Sequence, residues 1–429
     1  IKQLSIKYNS NFIMKKFLED YFYKKNFFIF TPKIHSFGGF FESFLWGVKL
    51  KNFTNKKLIL AIPFFDYFKH YKRSAKKFDY HLIFNLFLSL SFIEKLYSII
   101  FTFWLNLNLL LIKIKLRGLL IKLFGFKNHE SILFYRIGFS DDINNYNINN
   151  INLVYKQKIS KKILSTDTIE EIKNINKKII SFCVKDNNYD KVKKITSTAS
   201  AEINNYKIAI KFLIENDFYV VRIGEPLMKE FIYNDPNYLD LTKSKEFYDF
   251  SKKILNNSEF YFGTSGSHSI CAELFDLKKI ISNSRDFLYL NTSFSYDNWC
   301  IFKKVFDVEL GRFMSLDEIY SNNYVLDSDI ENQRKYIFVE NDQNEILELT
   351  KAVISKSEIS EKHKKNIIEF NRIRNKCLNK NFFEKRKPSR LYELAKTNIL
   401  ESHLDIFLYP NKELYELSDK FKKNYIDDK

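Results

Sequence analysis

Glycine, proline and cysteine are scarce in this sequence. Its 429 residues include 10 Gly, 6 Pro and 4 Cys. The cysteines form no C-x-x-C pair and the seven histidines form no H-x-x-x-H pair, so neither a metal site nor a cofactor is predicted. Cys183 and Cys271 fall in apolar segments and are expected to be small core residues of a protein in a reducing cytoplasm. Because 45% of the residues are hydrophobic and 17% aromatic, a disordered chain is excluded.

Acidic residues are in deficit, mainly in the first third of the chain. The net charge is +18, and residues 1–130 supply +15 of it, with 22 Lys and Arg against 7 Asp and Glu. Such a basic region is typical of proteins that bind nucleic acid, an anionic membrane surface or acidic substrates. Nucleic acid is not the predicted partner, since no Gly-rich aromatic RNA motif, zinc finger or helix-turn-helix pattern is present.

Two apolar runs lie inside this basic region. Leu82–Ile93 and Leu96–Ile112 are uncharged, and only Glu94 and Lys95 separate them. The basic residues that follow are Lys113, Lys115, Arg117, Lys122 and Lys127. Three interpretations stay open: a segment lying on the inner membrane surface, two buried helices of a globular domain, and a single span, for which 17 residues is the short limit. The opening residues do not have the pattern of a signal peptide.

The segment Glu259–Asn283 carries the strongest ligand-binding signal. It predicts a short strand, a turn of small residues at Gly263–Ser267, an amphipathic helix and a second strand. Small residues at a strand-to-helix turn let a ligand approach the backbone, where free amides and the helix dipole favour a diphosphate. Glu273, seven residues after Gly266, is predicted to accept hydrogen bonds from ribose hydroxyls. Alternatively, the hydroxyl groups of the turn only cap the helix.

Strands and helices alternate in both halves of the chain. In the first half, a strand at Pro32–Phe37, the pair Gly38–Gly39, a helix at Phe40–Lys51 and a strand at Lys57–Pro63 predict a parallel unit. The predicted fold class is α/β, with two Rossmann-like domains and a helical C-terminal extension. The predicted parts are a first, membrane-facing Rossmann-like domain at 1–140, a linker at 141–165, a second Rossmann-like domain at 166–330 and the extension at 331–429.

Polar residues follow three predicted strands of the second half. In open α/β sheets, ligands bind beyond the carboxyl ends of the strands. The predicted binding residues at these strand ends are Lys185, Asp186 and Tyr189, then Gly224 and Glu225 beside Arg222, and finally Thr264, Ser265, Gly266 and Ser267.

Four stretches resemble a family of bacterial glycosyltransferases from surface-polysaccharide gene clusters. They are Cys183–Tyr189, Tyr219–Gly224, Phe262–Ser267, and Asn291–Phe294 with Ile301–Lys304, so the resemblance covers about residues 175–325. It implies a GT-B-like fold and transfer of a sugar from a nucleotide-sugar donor to a glycan or lipid-linked acceptor. An arginine is expected where this chain has Lys185, which keeps the charge but not the fork geometry.

Such a transfer must stabilise the leaving diphosphate and deprotonate the acceptor. Arg222, Lys185 and the turn are the candidates for the first task. Gly38 and Gly39 would let a substrate approach the first domain, where Glu42, His35 or Asp66 is the candidate general base. Two other functions stay open. One is a nucleotide-sugar epimerase of the same fold, and the other is a basic membrane-surface or nucleic-acid binding protein without catalysis.

Overall fold

The structure is a computed structural model of the whole chain. It describes residues 27–30, 32, 37–62, 80–113, 157–164, 168–186, 200–285, 299–322 and 335–354. The chain divides into two compact units, which separate in sequence near residue 165. Several predicted features lie outside the described residues, namely His35, Asp66, Tyr189 and most of the predicted linker.

The first unit is built around a small parallel β–α–β motif. Its elements are β1 (Phe27–Phe30), α1 (Phe37–Thr54), β2 (Lys57–Leu60), α2 (Tyr80–Ser89), α3 (Phe92–Lys113) and α4 (Lys161–Leu164). β1 and β2 pair in parallel, and α1 buries Phe40, Phe41 and Phe44. Residues 157–164, predicted to be linker, belong to this unit, where the Asn85 side chain donates to the Ile163 carbonyl at 3.2 Å.

The parallel motif was predicted, but its first strand lies earlier in the chain. The prediction placed the strand at Pro32–Phe37, whereas the aromatic run Phe27–Phe30 forms it. Aromatic residues favour strands, while Pro32 has no amide to donate to a neighbouring strand. Gly38 and Gly39 therefore do not follow a strand end but lie in the first turn of α1.

Helix α3 covers the free edge of β2 with a row of polar side chains spaced four residues apart. On its other edge, β2 is continued by Ala61, whose amide donates to the Phe30 carbonyl at 2.9 Å. On the α3 edge, the amides of Leu58, Leu60 and Ile62 donate to Glu94 Oε1 (2.6 Å), Ser98 Oγ (2.8 Å) and Thr102 Oγ1 (3.0 Å), and Asn106 Nδ2 donates to the Ile62 carbonyl (2.7 Å). The helix thus satisfies backbone groups that a further strand would otherwise pair with.

Glu94 also fixes the start of α3. Its Oε2 accepts hydrogen bonds from the amide of Ser91 at 2.8 Å and from the hydroxyl of Ser91 at 2.7 Å, while the Glu94 amide donates back to that hydroxyl at 3.4 Å. This is a capping box. Burial tends to raise the pKa of Glu94, but hydrogen bonds from Leu58 and Ser91 outweigh it and hold the pKa below its usual value. No helix among the described residues combines the length and apolar character that crossing a bilayer requires.

The second unit contains a parallel sheet of six strands. Its sheet strands are β3 (Lys178–Cys183), β4 (Phe218–Arg222), β5 (Tyr238–Asp240), β6 (Ser258–Thr264), β7 (Lys278–Ser284) and β8 (Trp299–Phe302). They lie in the order β5-β4-β3-β6-β7-β8, and every neighbouring pair is parallel. In order of appearance this is 3-2-1-4-5-6, the arrangement of doubly wound α/β sheets. The prediction of an α/β fold is confirmed.

Helices join and cover these strands. They are α5 (Glu170–Lys173), a 3₁₀ turn (Ile203–Tyr206), α6 (Lys207–Glu215), α7 (Phe247–Asn256) and α8 (Ser267–Leu274). Phe182 and Phe262 lie side by side on β3 and β6, and Tyr206 packs against both with ring centroids 5.6 Å away. Cys183, Cys271 and Cys300 are buried.

The chain beyond residue 302 completes this unit. β9 (Lys304–Asp307), β10 (Arg312–Phe313) and β11 (Tyr336–Val339) form an antiparallel sheet, with α9 (Leu316–Ser321) between β10 and β11 in sequence. Helix α10 (Gln343–Ile354) packs on α6, and Lys304 forms a buried ion pair with Glu345 at 2.7 Å. Residues 336–354, which the prediction placed in a helical extension, therefore include a strand and pack on the sheet. Residues 355–429 lie outside the described residues.

The edge contacts of α3 make a testable prediction about Glu94. Glu94→Ala should destabilise the β2 edge by about 2–3 kcal/mol, because the buried Leu58 amide loses its acceptor. A group whose folded pKa is depressed stabilises above its unfolded value and loses that contribution as the pH falls through the folded value. In the wild type, the protection of the Leu58 amide against hydrogen exchange should therefore weaken below pH 4.5, the ordinary pKa of this carboxyl. In Glu94→Gln the same protection should depend less on pH. Amide hydrogen exchange at Leu58 measures both effects.

Ser98→Ala provides a matched control for this prediction. It removes a neutral acceptor from the Leu60 amide, so it should reduce protection of β2 without adding or removing acid dependence. Equal protection of Leu58 in the wild type and in Glu94→Ala would contradict the role assigned to the carboxylate.

Candidate functional site

The carboxyl ends of β3 and β6 form the point where the sheet changes direction. The chain leaves β3 toward β4 on one side and leaves β6 toward β7 on the other, and ligands of such sheets bind at this crevice. The Lys185 amide donates to Thr264 Oγ1 at 3.0 Å, and the Tyr261 hydroxyl donates to the Thr264 carbonyl at 2.8 Å. Thr264 is buried, so it ties the two strand ends together rather than facing a ligand.

Two glycines here have different roles. Gly263 has φ +144°, and a Cβ on it would lie 1.9 Å from the Cys183 carbonyl oxygen, so its small size allows β3 and β6 to pair to their ends. A Cβ on Gly266, in contrast, would meet no atom of the other described residues within 4 Å, its chain neighbours aside. Among the described residues, the backbone at Gly266 is therefore open, and ligand binding at this turn stays a prediction.

Helix α8 begins directly after this open turn. Ser269 Oγ accepts from the Gly266 amide at 2.9 Å and donates to the Gly266 carbonyl at 2.8 Å, so Ser269 supplies the cap. Ser265 and Ser267 are half-buried, and their hydroxyls have no hydrogen-bond partner in the described part of the chain. The alternative in which these two hydroxyls cap the helix is therefore not what the structure shows. The first-turn amides of a helix, with its dipole, suit an anion.

Glu273 does not face this crevice. It is buried, and its Oε2 accepts from Lys279 Nζ at 2.6 Å. Since α8 runs back across the sheet, two helical turns carry Glu273 about 10 Å away from the open turn. Lys279 is the second residue of β7 and lies near the amino edge. The predicted contact between Glu273 and a ribose is therefore wrong, because Glu273 and Lys279 form a buried ion pair in the core.

Arg222 is completely buried at the end of β4. Its Nη1 donates to Asp240 Oδ2 at 2.8 Å and its Nη2 to the Lys229 carbonyl at 2.6 Å, with Asp186 Oδ2 3.9 Å away. Asp186, also buried, accepts from the Lys229 amide at 2.6 Å. Arg222 and Asp186, which were predicted to contact a ligand, instead hold the loop after β4 in place. The structure does not support Arg222 as the group that stabilises a leaving diphosphate.

The loop after β4 begins with two predicted binding residues. Gly224 is buried with φ +151°, and a Cβ there would lie 2.4 Å from Met228 Sδ, so its role is to let the loop fold back. Glu225 is half-buried beside it. Lys185, after β3, is also half-buried. Burial raises the pKa of the neighbouring Cys183 to about 12, so this thiol stays protonated at neutral pH and is no nucleophile.

Residues 200–202 cross the carboxyl edge and connect four parts of the unit. The Ser200 carbonyl accepts from Lys303 Nζ at 2.6 Å, and the Ala201 amide donates to the Lys185 carbonyl at 2.8 Å. The Glu202 amide donates to Glu340 at 2.7 Å, and its carboxylate accepts from Lys229 Nζ at 2.9 and 3.0 Å. We call residues 200–202 the edge strap.

Glu202 in the edge strap, and the charged side chains of Lys229, Lys303 and Glu340 that contact the strap, were not among the predicted site residues. Burial tends to raise the pKa of Glu202, but hydrogen bonds from Lys229 and Asn204 hold it below its usual value, so Glu202 is ionised. Lys303 is buried, directly follows β8 and lies in the Ile301–Lys304 stretch of the resemblance, two signals that could have pointed to it. Glu202, Lys229 and Glu340 have no comparable signal, since their contacts span 27 and 138 residues of sequence.

The remaining predicted residues lie in the first unit. Glu42, Gly38 and Gly39 belong to α1, and only their backbone is described. His35 lies outside the described residues, as does Tyr189 of the second unit. Within the described residues, no group of three or more His, Cys, Asp or Glu side chains is arranged to hold a metal ion.

The contacts of Arg222 predict a stability role. Arg222→Ala should destabilise the second unit by about 3–5 kcal/mol, because it leaves the buried Asp186 and the partly buried Asp240 without their cationic partner. Arg312→Ala, which removes an exposed ion pair with Glu318, is the matched control and should cost at most about 1 kcal/mol. Urea unfolding followed by hydrogen exchange in β4 and β5 measures both. An Arg222→Ala chain as stable as the Arg312→Ala control would contradict this assignment.

Comparison with protein-family models, with curated proteins and with solved structures finds no match to this chain. The assignment of a ligand therefore rests on the site itself. Its main features are the strand order, the open turn at Gly266 and the charged groups along the carboxyl edge.

Proposed function

We propose that the second unit binds the diphosphate of a nucleotide sugar and that the protein is a glycosyltransferase. The observation that carries the proposal is the open backbone at Gly266, located where the strand order of a doubly wound sheet changes direction. Among the described residues, no side chain stands between a diphosphate and the backbone there. A diphosphate is favoured over a neutral ligand because helix α8 begins at the same turn.

The groups around the turn fit an anion. The hydroxyls of Ser265 and Ser267 are available as donors, and Lys185 follows β3 with its amide bonded to the neighbouring Thr264. These two hydroxyls and the first-turn amides of α8 would donate to a diphosphate, and the positive charge of Lys185 would attract it. Stabilising the charge that develops on a leaving diphosphate is the main chemical task of a metal-independent sugar transfer.

The acceptor half of the proposal concerns the first unit. Its parallel β1–α1–β2 motif supports a second Rossmann-like domain and hence a GT-B-like architecture. The acceptor is proposed to be a glycan or lipid-linked hydroxyl compound, deprotonated by a general base for which Glu42 and His35 remain the sequence-based candidates. Arg222 is no longer part of the proposed catalytic set, because its guanidinium is fully buried.

The open turn predicts the outcome of one substitution. Gly266→Val places a branched side chain in the space proposed for the phosphates, and its Cβ meets no other described residue within 4 Å. It should abolish nucleotide binding and leave the fold intact. A thermal-shift screen with UDP, GDP, CMP and dTDP sugars measures this, since ligand at about 100 times its Kd stabilises by about 2.7 kcal/mol.

The control places a valine at the opposite edge of the same sheet. Glu215 ends α6, is 59% exposed and forms only a long ion pair of 3.7 Å with Lys211, so Glu215→Val should keep full ligand stabilisation. If a nucleotide sugar stabilises folded Gly266→Val as much as it stabilises the wild type, the proposed nucleotide site is wrong. If a nucleotide sugar binds, release of nucleotide that requires an acceptor supports transfer, whereas sugar interconversion without acceptor would replace it with epimerisation.

A further inference from the structure

Helix α3 turns its polar side inward and its apolar side outward. Glu94, Ser98, Thr102 and Asn106 are used by the edge of β2, as described above. The side chains on the outer faces of the helix are large and apolar, with Phe92 80%, Phe103 70% and Ile99 58% exposed. A helix on a protein surface ordinarily has the reverse arrangement.

The exposed apolar surface continues onto helix α2. Phe84 and Leu88 are 57% and 49% exposed. We call the exposed apolar residues of the two helices the α2–α3 face: Phe84, Leu88, Phe92, Ile93, Leu96, Ile99, Ile100, Phe103, Leu107 and Leu110. It borders a groove of about 720 Å³ lined by His81, Phe84, Phe87, Ile99 and Phe103, among others. A contiguous apolar patch of this kind marks an interaction site rather than an ordinary protein surface.

The charge of this part of the chain favours an anionic partner for the α2–α3 face. Between residues 82 and 112 the only charged residues are Glu94 and Lys95, and Glu94 is buried against β2. The sequence immediately beyond is basic, with Lys113, Lys115 and Arg117 leading into Lys122 and Lys127. The first 130 residues carry +15 in total. Two copies of such a region repel each other, whereas an anionic surface attracts it.

We propose that the α2–α3 face docks on an anionic lipid surface. Helix α3, about 33 Å long, lies in the plane of the headgroups with Phe92, Ile99 and Phe103 among the acyl chains. The net positive charge of this part of the sequence adds electrostatic attraction to the anionic headgroups. This inference rests on the first unit alone and does not depend on the proposed nucleotide site, although a lipid-linked acceptor would be presented at the same surface.

The polar row of α3 explains why this face is compatible with a folded protein. Its contacts to β2 fix the rotation of the helix, because turning it inward would leave the amides of Leu58, Leu60 and Ile62 without acceptors. The apolar side chains are thus held outward by hydrogen bonds, not left outward by weak packing. A lipid surface then removes them from water without any rearrangement of the unit.

The test is co-flotation of the full chain with vesicles of phosphatidylcholine, with and without phosphatidylglycerol. Binding is expected only with phosphatidylglycerol, and it should weaken as salt rises. The double variant Phe92→Ser and Phe103→Ser should lower the partition coefficient at least about tenfold through lost apolar burial. Replacing Lys113, Lys115 and Arg117 with Gln should lower it by about 10- to 100-fold at low salt.

Matched controls lie in the second unit. Ile232 and Leu310 are 72% and 62% exposed, so Ile232→Ser with Leu310→Ser removes equally exposed apolar groups outside the α2–α3 face and should leave vesicle binding unchanged. Circular dichroism checks that each variant folds. The proposal is overturned if wild type does not float with anionic vesicles at low salt, or if the two phenylalanines can be replaced without loss. It is also overturned if the chain is a dimer that Phe103→Ser dissociates and that does not bind vesicles, since a second copy then covers the face.

Discussion

The contact between β3 and β6 at Gly263 sets the geometry of the candidate site. The Cys183 carbonyl oxygen occupies the place where a side chain would begin, so the two strands pair to their last residues only because residue 263 is glycine. This brings the Thr264 hydroxyl to the Lys185 amide. The chain then has two residues, Ser265 and Gly266, before α8 begins. Both the openness of the turn and the direction of the helix follow from that strand pairing.

Polar side chains that satisfy backbone groups decide what remains exposed in each unit. At the carboxyl edge of the large sheet, Asp186 and Arg222 are committed to the amide and carbonyl of Lys229, so they define a loop rather than offer charge to a ligand. In the first unit, Glu94 and Ser98 are committed to β2, and the apolar side of α3 is left outside. Residue type alone therefore misleads in both places: charged residues are structural, while apolar residues form the accessible surface.

The sequence predicted local structure well and long-range pairing poorly. The turn at Gly266 and the strands around it were predicted correctly because they depend on neighbouring small and aromatic residues. Glu273 was assigned to the ligand from its spacing along a helix, and spacing cannot show that Lys279 lies 2.6 Å from the same carboxylate. The commitment of Arg222 to Asp240 and Lys229 and the contacts of the edge strap are likewise products of tertiary structure.

Photoaffinity labelling tests the central claim, that a nucleotide diphosphate binds where β3 and β6 end, most directly. The full chain is irradiated with azido-UDP or azido-GDP, and the labelled peptides are identified with and without competing unmodified nucleotide. A competed label is expected in the peptide that spans Ser265, Gly266 and Ser267 or in the one that carries Lys185. A competed label confined to other parts of the chain, or no competed label with any nucleotide, would contradict it.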